Sequence, residues 1–196
     1  MRRLLITSMS VFVLAVVGVA CSSSTDHGSM SGSSSSKPES GEVFNSADVQ
    51  FAQDIIPHHA QAVEMADLAT TRASSPAVSE LASRIRKAQQ PEIDQMSSWL
   101  RAWNQDVPST SGMDMGSHSN VGMMSRTEMS GLEAASGAEF DTMFLKMMTA
   151  HHESAVSMAK AELKKGKYPQ AKALAQDIVV AQEAEITEMQ QLLADA

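Results

Sequence analysis

FAQDIIPHHAQAVEM at residues 51–65 and FLKMMTAHHESAVSM at residues 144–158 are two versions of one sequence pattern. Residues 51–103 align with residues 144–196 without a gap, at a constant offset of 93 positions. Of the 53 aligned pairs, 17 are identical, and both histidines are among them. A repeat of this length is typical of a supersecondary unit that occurs twice. The chain is therefore predicted to contain two copies of one unit.

Each unit is predicted to be a helical hairpin. Spacings of four and three residues, which are typical of a buried helix face, separate the members of one stripe: Phe51, Ile55, His58, Ala62 and Met65. The sequence SSP at 74–76 then ends one helix and begins the next, with Ser75 as the expected cap and Pro76 in the first turn. The second unit repeats this scheme. Two such hairpins predict an all-α fold, an antiparallel four-helix bundle with quasi-twofold symmetry.

The first 20 residues read as a bacterial lipoprotein signal peptide. Arg2 and Arg3 precede an apolar run, and Cys21 follows it as the expected lipidation site. Gly18 departs from the leucine-like residue that is usual three positions before the cysteine. An ordinary secretory peptide or an uncleaved anchor is the alternative. In each case the protein is expected outside the cytoplasm, and a lipid on Cys21 would hold it at the cell membrane.

The rest of the chain divides by composition. Residues 21–44 form a Ser/Gly-rich tether that cannot bury a core. Residues 45–196 form the bundle, with hairpin 1 at 45–103, a Met/His-rich linker at 104–125 and hairpin 2 at 126–196. The net charge of −8 argues against a nucleic-acid partner, and the single cysteine excludes an internal disulfide. The oligomeric state is left open.

Polar residues interrupt the apolar stripes at matching positions in the two units. Burying one glutamate costs about 2 kcal/mol or more unless it is paired or ligates a metal. Helical bundles build metal sites from such inward side chains. The predicted metal ligands of the stripes are His58, His59, Met65, Glu92, Met96, His151, His152, Met158, Glu185 and Met189, with Gln89 and Gln182 beside them. The alternative is a purely structural polar network whose identities reflect shared descent.

The linker strengthens the metal hypothesis. Met113, Met115 and His118 lie in a Gly/Ser-rich segment where no packed core needs them. Thioethers are soft donors that select Cu(I), and imidazole suits copper in either oxidation state. Copper, with Cu(I) favoured, is therefore the predicted ion, with silver or zinc also possible. A flexible loop with incidental methionines is the other interpretation.

Three stretches, FAQDIIPHHAQAVEMA, GMMSRTEMSGLEAASGAEFDTMFLKMMTAHHESAVSMAKAEL and AQEAEITEM, closely resemble the bacterial domain-of-unknown-function 305 family over nearly all of 45–196. The resemblance implies a ferritin-like four-helix bundle. Some members resemble exported CopM-type proteins that bind copper or silver through His and Met, which implies the same ligand types at the matching positions here. Neither hairpin carries the Glu-x-x-His motif of di-iron bundles, which is a departure from the ferritin-like pattern.

The expected function is that of an exported, membrane-tethered protein that sequesters or passes on copper in the cell envelope. Glu92 and Glu185 would orient histidines or ligate a harder metal directly. No nucleophile–base arrangement or phosphate-binding loop is present, so no catalytic step is expected. The alternatives are a metal-dependent oxidoreductase and a structural or partner-binding lipoprotein without metal.

Overall fold

The bundle is seen in a computed structural model that describes residues 43–110 and 122–195. This part of the chain is all-α, as predicted, and none of its helices combines the length and the apolarity of a membrane-spanning segment. Asn45 and Ser125 begin their helices with reciprocal capping boxes, in which the third helical residue bonds back to the cap. The helices are α1 (Ser46–Arg72), α2 (Pro76–Ala102), α3 (Arg126–Ala134), α4 (Gly137–Lys165) and α5 (Pro169–Ala194).

Two buried aspartates tie the hairpins together at their turns. Asp141 of α4 accepts a hydrogen bond from the backbone N–H of Ser75 (2.9 Å), at the start of α2. Asp48 of α1 accepts one from Tyr168 (2.8 Å), at the start of α5. Ser75 is the N-cap residue of α2, but its side chain makes no capping bond, so the prediction that it caps the helix was wrong in this respect. Each turn is instead capped by the other hairpin.

A layer of polar side chains divides the apolar core into two clusters. The Trp99 cluster lies on one side of this layer and includes Ile55, Ile93, Met96, Trp99 and Ile178. The Phe140 cluster lies on the other side and includes Met65, Ile85, Phe140, Met148 and Met189. Between them, the polar layer consists of His58, His59, Gln89, Glu92, His151, His152, Gln182 and Glu185. The predicted stripes therefore do face inward, with their polar members at mid-height in the bundle.

A short segment at the end of the linker crosses the α1–α4 side of the bundle. The Gln61 side chain pairs with both backbone groups of Met124, donating to the carbonyl (2.9 Å) and accepting from the N–H (2.7 Å). Gly122 has a φ of +78° and packs so closely against Ser154 that a Cβ atom there would collide with it. Gln61 and Ser154 are equivalent repeat positions, each three residues after the first histidine of its unit. This Gly122–Met124 strap therefore covers α1 and α4 close to the polar layer.

Glu162 is a buried carboxyl group near the α4–α5 turn, with 2% of its surface exposed. Its carboxyl group lies beside Asp48 and shares a side-chain hydrogen bond with it. Burial, followed by the neighbouring Asp48, raises the pKa of Glu162 from 4.5 to about 8. The aligned residue of the first unit is Ala69, so only the second hairpin carries this group. Glu162 is therefore mostly protonated, and thus neutral, at neutral pH.

We expect Glu162 to make the stability of the bundle depend on pH. Between about pH 4.5 and pH 8 the folded protein retains a proton that the unfolded chain releases, so the free energy of unfolding should fall as pH rises through this interval. Glu162→Gln is neutral at every pH and should remove this part of the dependence. Urea unfolding of both proteins at about pH 5, 7 and 9 measures it. Parallel pH profiles would contradict the raised pKa.

Candidate metal centre

The four histidines form a row through the middle of the bundle. Adjacent helical residues point about 100° apart, so the two members of each pair face different neighbours. His58 of α1 and His151 of α4 meet across the hairpin interface, with ring centroids 3.6 Å apart. The centroids of His58 and His59 are 6.5 Å apart, and those of His151 and His152 are 6.4 Å apart. The order along the row is therefore His59, His58, His151, His152.

A glutamate from the second helix of each hairpin contacts the outer histidine of that hairpin. The Nε2 atom of His59 lies 2.7 Å from Oε2 of Glu92, and His152 makes the same contact with Glu185 at 2.7 Å. A carboxylate can only accept a hydrogen bond, so Nε2 carries the proton in both rings. In the neutral form of either ring the lone pair is then on Nδ1. This arrangement, in which a carboxylate fixes the tautomer of a histidine, is the usual outer shell of a metal-ligating imidazole.

The inner histidines are held in the neutral form. His58 and His151 are each 1% exposed. Burial lowers the pKa of both rings well below 6.5, and the neighbouring imidazoles lower it further. Neutral imidazole is the form that binds transition metals. The layer therefore offers metal-competent rings without first having to lose protons at neutral pH.

Six ring nitrogens of the row are buried without a hydrogen-bond partner in the described part of the chain. They are both nitrogens of His58, both nitrogens of His151, and Nδ1 of His59 and of His152. The side chain of His151 makes only a weak approach to the backbone of His58. The side-chain oxygens of Gln89 and Gln182 are orphaned in the same way. Buried polar atoms are almost always paired in folded proteins, and leaving one unpaired costs about 1–3 kcal/mol. A neutral imidazole has one lone pair, so bound metal ions would satisfy one nitrogen of each ring, while the N–H groups of His58 and His151 would still need an acceptor. With one donor nitrogen from each of four rings, the residues fit a metal.

The ring spacings limit where an ion could bind. A metal about 2.0 Å from one nitrogen of each of two imidazoles holds their centres about 6 Å apart or closer. The adjacent pairs, at 6.5 and 6.4 Å, are near this span, whereas 3.6 Å leaves no room between the faces of His58 and His151. Within residues 43–110 and 122–195, no three His, Cys, Asp or Glu side chains already surround a common point. The polar layer is thus arranged to give each metal ion only a few protein ligands.

The predicted methionine ligands lie on both sides of the polar layer. Met65 and Met189 belong to the Phe140 cluster, and Met189 accepts a weak contact from the Thr149 hydroxyl (3.8 Å). Met96 belongs to the Trp99 cluster, and the half-buried Met158 packs against it. The sequence groups Met65 with Met96 in one unit, yet the folded chain separates them by the polar layer. Of the four predicted methionine ligands, each side of the layer therefore receives one from each hairpin.

Some predicted site residues lie outside the described part of the chain, and some contacts near the site were not predicted. Met113, Met115, His118 and Cys21 fall outside the described residues. Sequence reasoning missed Asp48 and Asp141, although the same 93-residue offset, extended three positions towards the N-terminus, relates them. The bond from Gln61 to the strap has no local sequence signal, because its partner is 63 positions away.

The sequence model of one family, described as a domain of unknown function (DUF305), matches residues 48–193. The chain belongs to the DUF305 family. This confirms the resemblance noted from the sequence, and the match contains the whole polar layer. No curated protein matches the chain.

DUF305 proteins of known structure are similar to this chain over most of its length. A Streptomyces coelicolor protein, named as a candidate secreted DUF305 protein, is 35% identical, with a TM-score of 0.70 over 76% of this chain and 93% of its own. A Deinococcus radiodurans DUF305 fragment is 31% identical, with a TM-score of 0.68 and coverages of 78% and 98%. CopM with Cu(II) is 32% identical, with a TM-score of 0.66 and coverages of 76% and 96%. CopM structures with Cu(I) and with silver are also similar.

We expect nitrogen NMR to find His59 and His152 as Nε2–H tautomers in the metal-free protein, because each donates to a carboxylate. Glu92→Gln should give His59 a mixture of tautomers and leave His152 unchanged. Glu183→Gln, which changes an exposed glutamate on α5, is the matched control. An Nδ1–H tautomer at either ring of the unaltered protein would contradict the geometry.

Proposed function

We propose that this DUF305 protein binds copper, chiefly Cu(I), in the polar layer of its bundle, and sequesters or hands on the ion at the cell envelope. The observation that carries the proposal is the row of four buried imidazoles, six of whose nitrogens have no well-formed hydrogen bond within the described residues. A purely structural network would be expected to pair these atoms with one another or with the nearby amides. The one lone pair of each neutral ring is instead left for a ligand that is a Lewis acid.

The donor types and their number favour a soft monovalent ion. Structural zinc sites hold the ion with four ligands in a closed tetrahedron. The adjacent pairs His58–His59 and His151–His152 offer two imidazoles each, and soft thioethers lie in both apolar clusters. Cu(I) and Ag(I) tolerate low coordination numbers and favour such donors. The copper and silver complexes of the similar CopM agree with this choice of ion.

The remaining predicted ligands receive supporting roles in the proposal. Glu92 and Glu185 fix the tautomers of the outer histidines through their Nε2 atoms, which directs Nδ1 towards the ion. Met65, Met96, Met158 and Met189 supply thioethers from the clusters on either side. Met113, Met115 and His118 of the linker would capture the ion first. Transfer between these groups is ligand exchange and needs no catalytic residue.

We expect the purified full chain to compete with a chromophoric Cu(I) chelator, and the double variant His59→Gln/His152→Gln to lose at least about tenfold in affinity. Glutamine retains a polar side chain of similar length, and circular dichroism will verify that the bundle stays folded. Met65→Leu should weaken binding, whereas Met129→Leu, an equally conservative change at another buried methionine of the same cluster, should not. Equal affinities for the double variant and the unaltered protein would refute the proposed site.

Export and lipid anchoring complete the proposal. The similar Streptomyces coelicolor protein is named as a candidate secreted protein. The segment 1–20 has the features of a lipoprotein signal, and Cys21 follows it. Metabolic labelling with a radioactive fatty acid should label the unaltered protein and not Cys21→Ser, which should also be released from the membrane fraction. Unlabelled protein in both cases would point to ordinary secretion.

A further inference from the structure

The polar layer is closed on one side of the bundle and more open on the other. Among adjacent pairs of the four long helices, α1–α2, α4–α5 and α1–α4 are in extensive contact, whereas α2 and α5 touch each other much less. The Gly122–Met124 strap additionally covers α1 and α4. We name the facing sides of α2 and α5 the α2–α5 seam. An ion that reaches the layer meets the least packed protein along this seam.

Exposure increases from the imidazoles to the glutamates that contact them from α2 and α5. The side chains of His59 and His152 are fully buried, while those of their partners Glu92 and Glu185 are 22% and 18% exposed. These two carboxylates lie on α2 and α5, so they are the outermost groups of the polar layer. Negative charge at such a position attracts cations and raises their local concentration. A cation that enters by the seam therefore meets a carboxylate before it meets an imidazole.

One ion pair bridges the seam. Nη2 of Arg84 on α2 lies 2.6 Å from both carboxylate oxygens of Glu188 on α5. Within the described residues no other ion pair joins these two helices; each of the rest joins the two helices of a single hairpin.

The repeat does not reproduce this pair. The equivalents of Arg84 and Glu188 at the other end of the seam are Asp177 and Gln95, which cannot form it. The pair thus fastens only one end of the least packed interface in the bundle. Both partners are about half exposed, and exposed ion pairs contribute little free energy, so this fastening opens readily.

From this we infer that the α2–α5 seam is the route by which metal ions reach the histidine row, and that the Arg84–Glu188 ion pair is a latch that slows the exchange. The inference rests on the proposed function, since it concerns access to the same site. A latch differs from a ligand in a measurable way. Breaking it speeds uptake and release by the same factor, because it lowers the barrier for both directions and leaves the equilibrium affinity unchanged.

Stopped-flow mixing with Ag(I), a redox-inert probe, tests the latch in the full chain. We expect Glu188→Gln to raise both the association and the dissociation rate about two- to fivefold, with an unchanged Kd. The matched control is Glu183→Gln, which breaks the similarly exposed Lys160–Glu183 pair within hairpin 2 and removes the same charge. The charge swap Arg84→Glu/Glu188→Arg rebuilds the pair in reverse and should restore the original rates.

The outcomes separate the latch from the site itself. If Glu188→Gln behaves like Glu183→Gln, or if the charge swap stays as fast as the single variant, the latch is refuted while metal binding stands. A change in Kd together with the dissociation rate alone would make Glu188 a ligand and also refute the latch. If the unaltered chain takes up no Ag(I) at all, the proposed function fails first, and the latch fails with it.

Discussion

The contact between the rings of His58 and His151 at the centre of the bundle determines how the two hairpins, and with them the polar layer, are arranged. These rings come from equivalent positions of the two hairpins, so their contact lies at the quasi-twofold axis. With ring centroids 3.6 Å apart, they fix the register between α1 and α4. The outer histidines and their glutamates continue the row on either side. A change of register between α1 and α4 would separate His58 from His151 and divide the row into its two hairpin halves.

The unpaired nitrogens of this row lower the free energy of unfolding, and contacts in other parts of the bundle offset that loss. Unpaired buried nitrogens destabilise a folded protein, and such violations are found mainly at functional sites. The Trp99 and Phe140 clusters bury the apolar surface that offsets this cost. Asp48 and Asp141 add reciprocal bonds that join each hairpin to the turn of the other. Because these bonds hold the ends of the bundle, its middle can remain polar.

The sequence predicted the features that depend on periodicity and repetition. A helical period identifies a buried face directly, so Phe51, Ile55 and His58 were placed correctly, and the repeat placed Phe144 and His151 with them. Long-range contacts have no such local signal. Ser75 had the sequence of a cap, but Asp141 supplies the bond from 66 positions away. Met65 and Met96 were grouped by sequence, whereas antiparallel crossing places them on opposite sides of the polar layer.

In the proposed site, the outer histidines ligate the metal through Nδ1 while their Nε2 atoms stay bonded to glutamate. Nitrogen NMR of isotopically labelled protein loaded with Ag(I) can detect this ligation, since a bound silver nucleus splits the resonance of the nitrogen that ligates it. We expect silver–nitrogen coupling at Nδ1 of His59 and of His152, with Nε2 of both rings still protonated and bonded to Glu92 and Glu185. Coupling at Nε2, or no coupling to either ring in the silver-loaded protein, would contradict it.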